Sequence, residues 1–296
     1  MQSNSIARTF DGEDAGGNVP SPGHDNAMNS LAAQPIRRPL ASPLAINAAA
    51  VGAIILRDIR LRAGKYYAGF LMVLVSPLLH LLFIVTLFSV LGRLAPEGTD
   101  ELVYFGVSIL PFVIYLYLAR QIVLSLIQNR PLLNFSRVKV FDILLARGIL
   151  ESAGAFIVFL ILVSILSIFS SGFSPRDWPG IVFAVAATIY LGFSVGVPNA
   201  MIARVFPTWL VAFNLSMPLI WMSSGVIFFP AAIPEPYDQW LALNPLLQCI
   251  EWIRYSYYED YPDKLLNIPY LLSFATACLV VSLVAERLVR RALRAR

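Results

Sequence analysis

Few residues in this sequence have the types and spacing that catalysis needs. The chain has no Gly-x-Ser-x-Gly or His-Glu-x-x-His motif, and Gly64-Lys65 is followed by Tyr66, so it has no phosphate-binding loop. His80 is the one ionisable group in the middle of an apolar stretch, and Cys249 and Cys278 form no Cys-x-x-Cys pair. We therefore expect no catalytic residue, no metal site and no cofactor bound by this chain. His80 is interpreted either as a hydrogen-bonding partner of a neighbouring helix or as a pathway-lining group.

Basic residues instead gather at the ends of apolar stretches. Residues 46–65 begin with apolar residues and end with Arg57, Arg60, Arg62 and Lys65. This pattern predicts an amphipathic helix in the membrane interface, with its cations toward lipid headgroups. A plain positive flank of the next membrane span is the alternative. Nucleic acid is not an expected partner, because the cations flank apolar stretches and do not cover a soluble face.

The elements that position these groups are predicted to be membrane helices. Of the 296 residues, 58% are hydrophobic and 14% are charged, which excludes an ordinary soluble enzyme and a disordered protein. Six apolar stretches are each long enough to cross about 30 Å of hydrocarbon. We predict an all-α membrane protein with six spans, at 66–92, 102–127, 150–172, 178–202, 206–228 and 266–286.

The distribution of charge predicts the orientation of these spans. Of the 22 Lys and Arg residues, 18 lie in 1–65, in 120–151, at Arg204 or in 286–296, all of them at the same predicted side of the membrane. An excess of basic residues marks the cytoplasmic side, so both termini are predicted to be cytoplasmic. Residues 1–45, rich in Ser, Asn, Asp, Gly, Ala and Pro, are predicted to be a disordered tail, and 46–296 the transmembrane domain.

Two segments between spans are unusually long. Residues 128–147 mix apolar and basic groups, which predicts a short helix across the cytoplasmic face that docks into a groove on a soluble partner. A passive connecting loop is the alternative. Residues 231–260 predict two short helices that re-enter the outer leaflet, with a break at Asn244-Pro245. Glu251 and Arg254 are three residues apart, so they share a helix face and can form an ion pair.

Aromatic residues are frequent on the first and fifth predicted spans. Sugar rings stack on aromatic faces, so a channel with such a lining suits a glycan. Lipid-facing bulk is the alternative interpretation. The candidates for lining a channel are Tyr66, Tyr67, Phe70, His80, Phe213 and Trp221.

Several short motifs, in this order and spacing, resemble the permease subunit of ABC-2 exporters, and specifically the KpsM-type capsular polysaccharide exporters. The resemblance covers roughly 46–290. The motifs are Leu56-Arg-Asp-Ile-Arg, Gly106-Val-Ser-Ile-Leu-Pro, the stretch 129–142, Leu145-Ala-Arg with Glu151, and Asn244-Pro245 followed by Glu251-Trp-Ile-Arg254 and Tyr257.

The resemblance implies a half-transporter of the bacterial inner membrane. Two copies would form the translocation path, bind two separate ATPase subunits that hold ATP and magnesium, and work with periplasmic and outer-membrane polysaccharide export proteins. The substrate would be a lipid-linked capsular polysaccharide, whose headgroup the four cations of 46–65 would attract. An ABC-2 permease for O-antigen, teichoic acid or a drug is the nearest alternative. A membrane-embedded transferase and a structural subunit are more distant ones.

The resemblance also implies roles for particular residues. The residues that would couple this chain to the ATPase lie in the 128–147 loop: Leu132, Leu133, Asn134, Phe135 and Arg137. The residues that would form a periplasmic gate lie within 231–260: Asn244, Pro245, Glu251, Arg254 and Tyr257.

Overall fold

The computed structural model describes residues 43–63, 68–91, 100–135, 138–170 and 172–294. The regular structure in these ranges is helical throughout, and nearly all of the predicted tail 1–45 lies outside them. The α-helices are α1 (Pro43–Ala63), α2 (Ala68–Val90), α3 (Glu101–Gln128), α4 (Val140–Phe169), α5 (Trp178–Val205), α6 (Trp209–Met222), α7 (Tyr237–Ala242), α8 (Pro245–Tyr257) and α9 (Ile268–Arg294). Two 3₁₀ helices, η1 (Arg130–Asn134) and η2 (Pro230–Ala232), lie between them.

Four of the described helices are long and apolar enough to cross a membrane. They are α3, α4, α5 and the part of α9 from Ile268 to Leu288. Shorter apolar helical stretches are Leu74–Phe88 within α2 and Trp209–Met222, which is α6. The predicted all-helical membrane class is therefore confirmed for the described ranges, while the number of six spans and the orientation stay predictions.

Helix α3 forms the centre of the bundle. Its first turn is capped by Asp100, whose side chain accepts a hydrogen bond from the Leu102 N–H at 2.9 Å. Most of its residues are buried against α2, α4, α5 and α8. Gly192 and Gly196 on α5 face α3, and a Cβ at Gly196 would lie only 2.8 Å from Ile122. This small-xxx-small spacing lets the two backbones approach closely, as is common between membrane helices.

Helix α1 packs across one end of the bundle. Its buried residues Val51 and Ile54 belong to a hydrophobic cluster with residues of α3, α4 and α5. The other face of α1 is exposed, including Leu56 and Leu61 at 50% and 70%. The helix therefore has one apolar face toward the protein and a second exposed face that carries both leucines and Arg60.

Two helices differ in length from the predicted spans. Helix α4 begins at Val140, ten residues before the predicted span at 150, because Asp142 accepts a hydrogen bond from the Lys139 N–H at 2.9 Å and starts the helix there. Helix α6 has 14 residues, about 21 Å at 1.5 Å per residue, so it is shorter than the predicted 206–228. It ends in a turn where Gly225 has φ of 78°, a conformation that favours glycine.

Candidate functional site

Charged and polar side chains are buried near both ends of α3, in two separate clusters. The α1 ion network consists of Arg57, Asp58, Arg62, Gln121, Asn129, Arg147 and Glu151. The Arg254 cluster consists of Tyr104, Ser108, Glu251, Arg254, Tyr261 and the carbonyl of Gly225. On α3, Ser108 of the Arg254 cluster and Gln121 of the α1 ion network are the members of the two clusters that lie nearest to each other in sequence. Their separation corresponds to about 20 Å along the helix.

Arg147 of α4 is the centre of the α1 ion network. Its guanidinium lies 3.4 Å from the Asp58 carboxylate of α1 and 3.1 Å from the Glu151 carboxylate one turn along α4. It also donates a hydrogen bond to the side-chain oxygen of Gln121 on α3. Arg62 of α1 forms an ion pair with the same Glu151. The network thus ties α1 to both α3 and α4.

Arg57 extends this network to the end of α3. It donates hydrogen bonds to Asp58, at 2.9 Å, and to the side-chain oxygen of Asn129. Asn129 is buried and is the residue at which α3 ends. Helix α1 is therefore joined to the point where α3 turns into the loop that leads to α4.

Burial makes the network difficult to pull apart. The side chains of Asp58, Arg147 and Glu151 are each 7% exposed, so their charges have little access to water. A buried charge is tolerated when it is paired and hydrogen-bonded, and breaking one partner away leaves an uncompensated charge. Separating α1 from α3 and α4 would do this at several places at once. We therefore expect these three helix ends to move together.

The described part of the segment between α3 and α4 contains one short helix, the 3₁₀ helix η1, and the first two turns of α4 occupy the rest of the predicted loop from Val140 to Arg147. Whether η1 lies across the cytoplasmic face stays a prediction. Leu132 and Leu133 are half-buried and pack against the hydrophobic cluster under α1. Asn134 is exposed, and Phe135 is 64% exposed. Arg137 lies outside the described residues.

The four predicted headgroup-binding cations do not form one open patch. Arg57 and Arg62 bind groups of the protein, in the network described above. Arg60 is exposed, and no ion pair to it is found within the described ranges. Lys65 lies outside those ranges. A headgroup-binding role for these cations stays a prediction. Of these four, and among the described residues, Arg60 is the cation that is exposed and not paired with a carboxylate.

The predicted channel-lining residues are scattered. Tyr66 and Tyr67 lie outside the described residues, and Phe70 is described for its helical backbone alone. His80 is half-buried, with its ring edge-on to Tyr117 at 5.8 Å between centroids. The two candidates on α6, Phe213 and Trp221, are buried and partly buried.

Phe213 and Trp221 belong to the hydrophobic core. Phe213 is 5% exposed, and Trp221 packs against Phe88 and Phe112 at 6.4 and 6.2 Å between ring centroids. The exposed large apolar residues of α6 are mostly non-aromatic. They are Trp209, Val211, Leu215, Leu219 and Met222.

A cavity of about 300 Å³ lies between α2, α3 and α4. Most of its lining is apolar, but Gln121 and Glu151 of the α1 ion network also line it, together with Tyr117. Tyr117 and Ser76 approach each other across it at 3.3 Å. The α1 ion network therefore borders this cavity through Gln121 and Glu151.

Residues 231–260 contain the two predicted helices, α7 and α8. The break falls at Asn244, whose side chain accepts a hydrogen bond from the Leu246 N–H at 3.0 Å and thereby caps α8. Pro245 occupies the first helical position, where its missing N–H is tolerated. Asn244 also donates to Ser223 at 2.9 Å, which attaches this break to the end of α6. Whether α7 and α8 re-enter a membrane stays a prediction.

Arg254 of α8 is fully buried and bonds to two other segments of the chain. Its guanidinium donates to the Ser108 hydroxyl of α3 at 2.8 Å and to the Gly225 carbonyl at 2.9 Å. It lies 3.3 Å from Glu251, the ion pair that the spacing predicts, and 4.6 Å from the centre of the Tyr104 ring.

Tyr261 completes the Arg254 cluster. Its hydroxyl donates to Glu251 at 2.7 Å, so both charged groups have additional partners. Tyr257, the last predicted gate residue, is 7% exposed and packs edge-on to Tyr258. The cluster therefore holds α3, α8 and the turn after α6 together.

An ion pair also attaches α7 to the segment after α8. The Lys264 amine lies 2.8 Å from the Asp238 carboxylate and 3.4 Å from that of Glu235. The hydrogen bond from Lys264 lowers the pKa of the Asp238 carboxyl below its usual value. The short helix α7 is therefore held by a charge that persists at neutral pH.

Sequence reasoning missed about half of the two clusters. Asp58, Gln121 and Asn129 were not predicted to act with the arginines, nor were Ser108 and Tyr261 with Arg254. Their partners lie up to 146 residues away in the chain, so no local spacing reveals them. The signal that was available is the presence of Asp58, Arg147 and Glu151 beside apolar stretches, since such charges need partners.

Comparisons with known proteins give consistent matches over most of the chain. The polysialic acid transport protein KpsM of Escherichia coli is 26% identical over 238 residues, which are 80% of this chain and 92% of KpsM. The capsule polysaccharide export inner-membrane protein CtrC of Neisseria meningitidis serogroup B is 29% identical over 220 residues, 73% of this chain and 81% of CtrC. BexB of Haemophilus influenzae, with the same description, is 25% identical over 242 residues, 81% of this chain and 91% of BexB. This chain resembles the KpsM-type proteins over most of its length. No family model matches the sequence.

The likeness to KpsM-type proteins agrees with the helices of the structure. CtrC and BexB are described as inner-membrane proteins, and the described part of this chain has four helices that can cross a membrane. The chain is therefore a multi-pass inner-membrane protein. Each of these relatives aligns over most of its own length, so the likeness extends over most of both chains.

Proposed function

We propose that this chain is the permease subunit of an ATP-driven ABC exporter that moves a lipid-linked capsular polysaccharide across the inner membrane. The observation that carries the proposal is the similarity, over about four fifths of the chain, to proteins named for polysialic acid transport and for capsule polysaccharide export. ATP and magnesium would be held by a separate ATPase, because the sequence has no phosphate-binding loop. The chain itself would act in transport and carry out no chemical reaction.

The proposed orientation has six spans and both termini in the cytoplasm. It rests on the bias of Lys and Arg toward one set of loops. In this orientation the α1 ion network lies at the cytoplasmic end of α3, and the Arg254 cluster lies at the periplasmic end. Helices α7 and α8 would form the periplasmic gate, and α2 and α6 of two copies would border the path.

The proposed coupling to the ATPase acts through the turn after α3. Phe135 projects from this turn with 64% of its surface exposed, which suits an anchor for a groove on a soluble partner. The turn is attached to α1 through Asn129 and Arg57. A push on Phe135 would therefore reach α1, α3 and α4 together as a rigid-body movement.

Two ATPase subunits and a second copy of this chain are the proposed immediate partners. Periplasmic and outer-membrane polysaccharide export proteins would receive the glycan. The lipid-linked end of the substrate would meet the exposed cation Arg60, and Lys65 if it is also free, at the cytoplasmic surface.

Replacing Phe135 by Ala tests this function. We expect Phe135→Ala to lower ATPase co-purification and glycan export at least about tenfold, because an exposed aromatic anchor commonly contributes 2 kcal/mol or more to binding. Phe169→Ala is the matched control, since Phe169 is 73% exposed at the opposite end of α4. Both variants should fold like the wild type, because neither side chain is buried. Equal export and equal ATPase recovery in the two variants would contradict the proposal.

A further inference from the structure

The cavity of about 300 Å³ between α2, α3 and α4 has one apolar end and one polar end. Val113 and Val158 line the apolar end, and Gln121 and Glu151 line the polar end, because α4 runs antiparallel to α3. The two ends are about 12 Å apart, since Val113 and Gln121 are separated by eight residues of α3. A ligand that fills this space must therefore be apolar at one end and polar at the other.

The polarity of this cavity follows that of one leaflet of a bilayer. Helix α3 is long and apolar enough to cross a membrane, and Val113 lies near its middle. Gln121 lies seven residues, or about 10 Å, from the end of the helix at Gln128. The apolar end of the cavity is thus at the level of the hydrocarbon centre, and the polar end is near the headgroups. Ser76 is exposed and Ala155 half-buried in the lining, so the cavity opens at the side of the bundle.

Two polar atoms at this end are available to a ligand. The Oε1 atom of Glu151 pairs with both Arg62 and Arg147, whereas its Oε2 atom has no partner among the residues that the structure describes. The side-chain oxygen of Gln121 accepts from Arg147, and the Gln121 amide nitrogen likewise has no partner there. Neither of these two atoms is fully enclosed, and both residues line the cavity. The polar end therefore offers an anionic acceptor, which a cationic donor satisfies best, and one neutral donor.

The charges behind the polar end suit a headgroup of both signs. The α1 ion network sets three cations, Arg57, Arg62 and Arg147, against two anions, Asp58 and Glu151, so one positive charge is left over. An ammonium group can meet the free oxygen of Glu151, while the phosphate next to it in the same headgroup balances the surplus cation. The cavity volume lies at the lower end of the range for ligand pockets, which suits a single acyl chain.

We propose that this cavity holds one acyl chain of a membrane phospholipid whose headgroup carries a primary ammonium group. The ammonium donates to Oε2 of Glu151, and the chain packs against Val113 and Val158. The bound lipid fills the gap between α2 and the α3–α4 pair, which the contact between Ser76 and Tyr117 at 3.3 Å bridges on the protein side. This inference rests on the chain being a membrane protein and is independent of the transport function proposed above.

Lipid retention by the full chain tests the site. The probe is an equimolar mixture of phosphatidylethanolamine, phosphatidylcholine and phosphatidylglycerol with identical acyl chains, in nanodiscs, and native mass spectrometry counts the lipids that stay bound. We expect one phosphatidylethanolamine to be retained about tenfold over either other lipid, because choline has no N–H and glycerol has no cation. Ala155→Leu fills the cavity and should abolish this retention. Ala153→Leu is the matched control, since Ala153 is exposed on the opposite side of α4 and does not line the cavity.

Glu151→Gln tests the headgroup separately and keeps the site testable if Ala155→Leu does not fold. The variant leaves the cavity open but removes the anion, so a lipid should still be retained while the preference for phosphatidylethanolamine falls to about twofold. Glu101→Gln, at the other end of α3, should keep the full preference. Equal retention of the three lipids by the wild type would overturn the proposal. So would a preference in Glu151→Gln as large as that in Glu101→Gln, or equal lipid retention in Ala155→Leu and Ala153→Leu.

Discussion

The two buried charge clusters near the ends of α3 differ in the number of partners that each charge has. In the α1 ion network, Asp58 and Glu151 each contact two arginines, and Arg147 contacts both carboxylates. In the Arg254 cluster, one guanidinium faces one carboxylate. The network also reaches the surface, since the Arg57 side chain is 36% exposed, whereas those of Arg254 and Glu251 are 0% and 1% exposed.

This difference indicates two mechanical properties. A charge with two partners can lose one contact and keep the other, so the α1 ion network should tolerate the loss of one partner while it still joins α1, α3 and α4. The Arg254 cluster has no second anion within the described residues, so it is either complete or leaves a buried charge unpaired. The end that is proposed to receive the ATPase movement is thus adaptable, and the proposed gate end is locked in one arrangement.

Arg254→Ala is the strongest test of this comparison. It removes the partner of buried Glu251 and the bonds to Ser108 and Gly225, so we expect a loss of about 3–5 kcal/mol in stability. The measurement is the thermal midpoint and the yield of monodisperse protein in detergent. Arg176→Ala is the matched control, because Arg176 is exposed at the same end of the bundle. A midpoint equal to that of the control would refute the locked description.

The double variant Arg254→Ala with Glu251→Gln sharpens the same test. Neutralising the carboxyl removes the uncompensated charge, so the double variant should be more stable than Arg254→Ala alone. No recovery would mean that the bonds to Ser108 and the Gly225 carbonyl matter more than the ion pair.

Glu151→Gln should have an intermediate effect. Arg147 would keep Asp58 and Gln121, but Arg62 would lose its charged partner, so we expect a loss of about 1–3 kcal/mol. The measurement is again the thermal midpoint. The control is Glu101→Gln, which makes the same chemical change in the first turn of α3. A loss as large as that of Arg254→Ala would show that the network is as locked as the Arg254 cluster.

Much of the helical architecture was predictable because charge is so costly inside a membrane. Apolar stretches without Lys, Arg, Asp or Glu indicated the positions of the long helices, and α3 and α5 lie close to their predicted bounds. The break at Asn244-Pro245 and the Glu251–Arg254 pair were also visible, because capping and helix-face pairing depend on local spacing.

The early start of α4 and the use of Arg57 and Arg62 were not predictable in this way. The start of α4 depends on the bond between the Lys139 N–H and the Asp142 carboxylate, a local signal that the hydropathy pattern does not show. Arg147 lies in the predicted loop and Glu151 at the start of the predicted span, and their partners on α1 are 89 residues distant. The arginines of α1 read as free cations, because nothing in their own segment shows that Asn129 and Glu151 will meet them. Long-range pairing decides the network, and a single sequence does not contain it.

Arg57→Ala should lower stability less than Arg254→Ala and Glu151→Gln do. It tests the α1 ion network, the adaptable side of the comparison. Arg57 is partly exposed, so its pair with Asp58 is screened by water and salt, and Asp58 keeps Arg147. The hydrogen bond to buried Asn129 is lost, so we expect the free energy of unfolding to fall by about 1 kcal/mol. Thermal midpoints at low and high salt measure it.

The matched control for this last variant is Arg60→Ala, one turn along α1, whose exposed side chain has no ion pair within the described ranges. Arg60→Ala should leave the midpoint unchanged at either salt concentration. The loss in Arg57→Ala should shrink in high salt as the Asp58 pair is screened, while that in Arg254→Ala should not, because a buried pair is screened little. If salt reduces both losses equally, exposure does not distinguish the two clusters, and the contrast between an adaptable and a locked end fails.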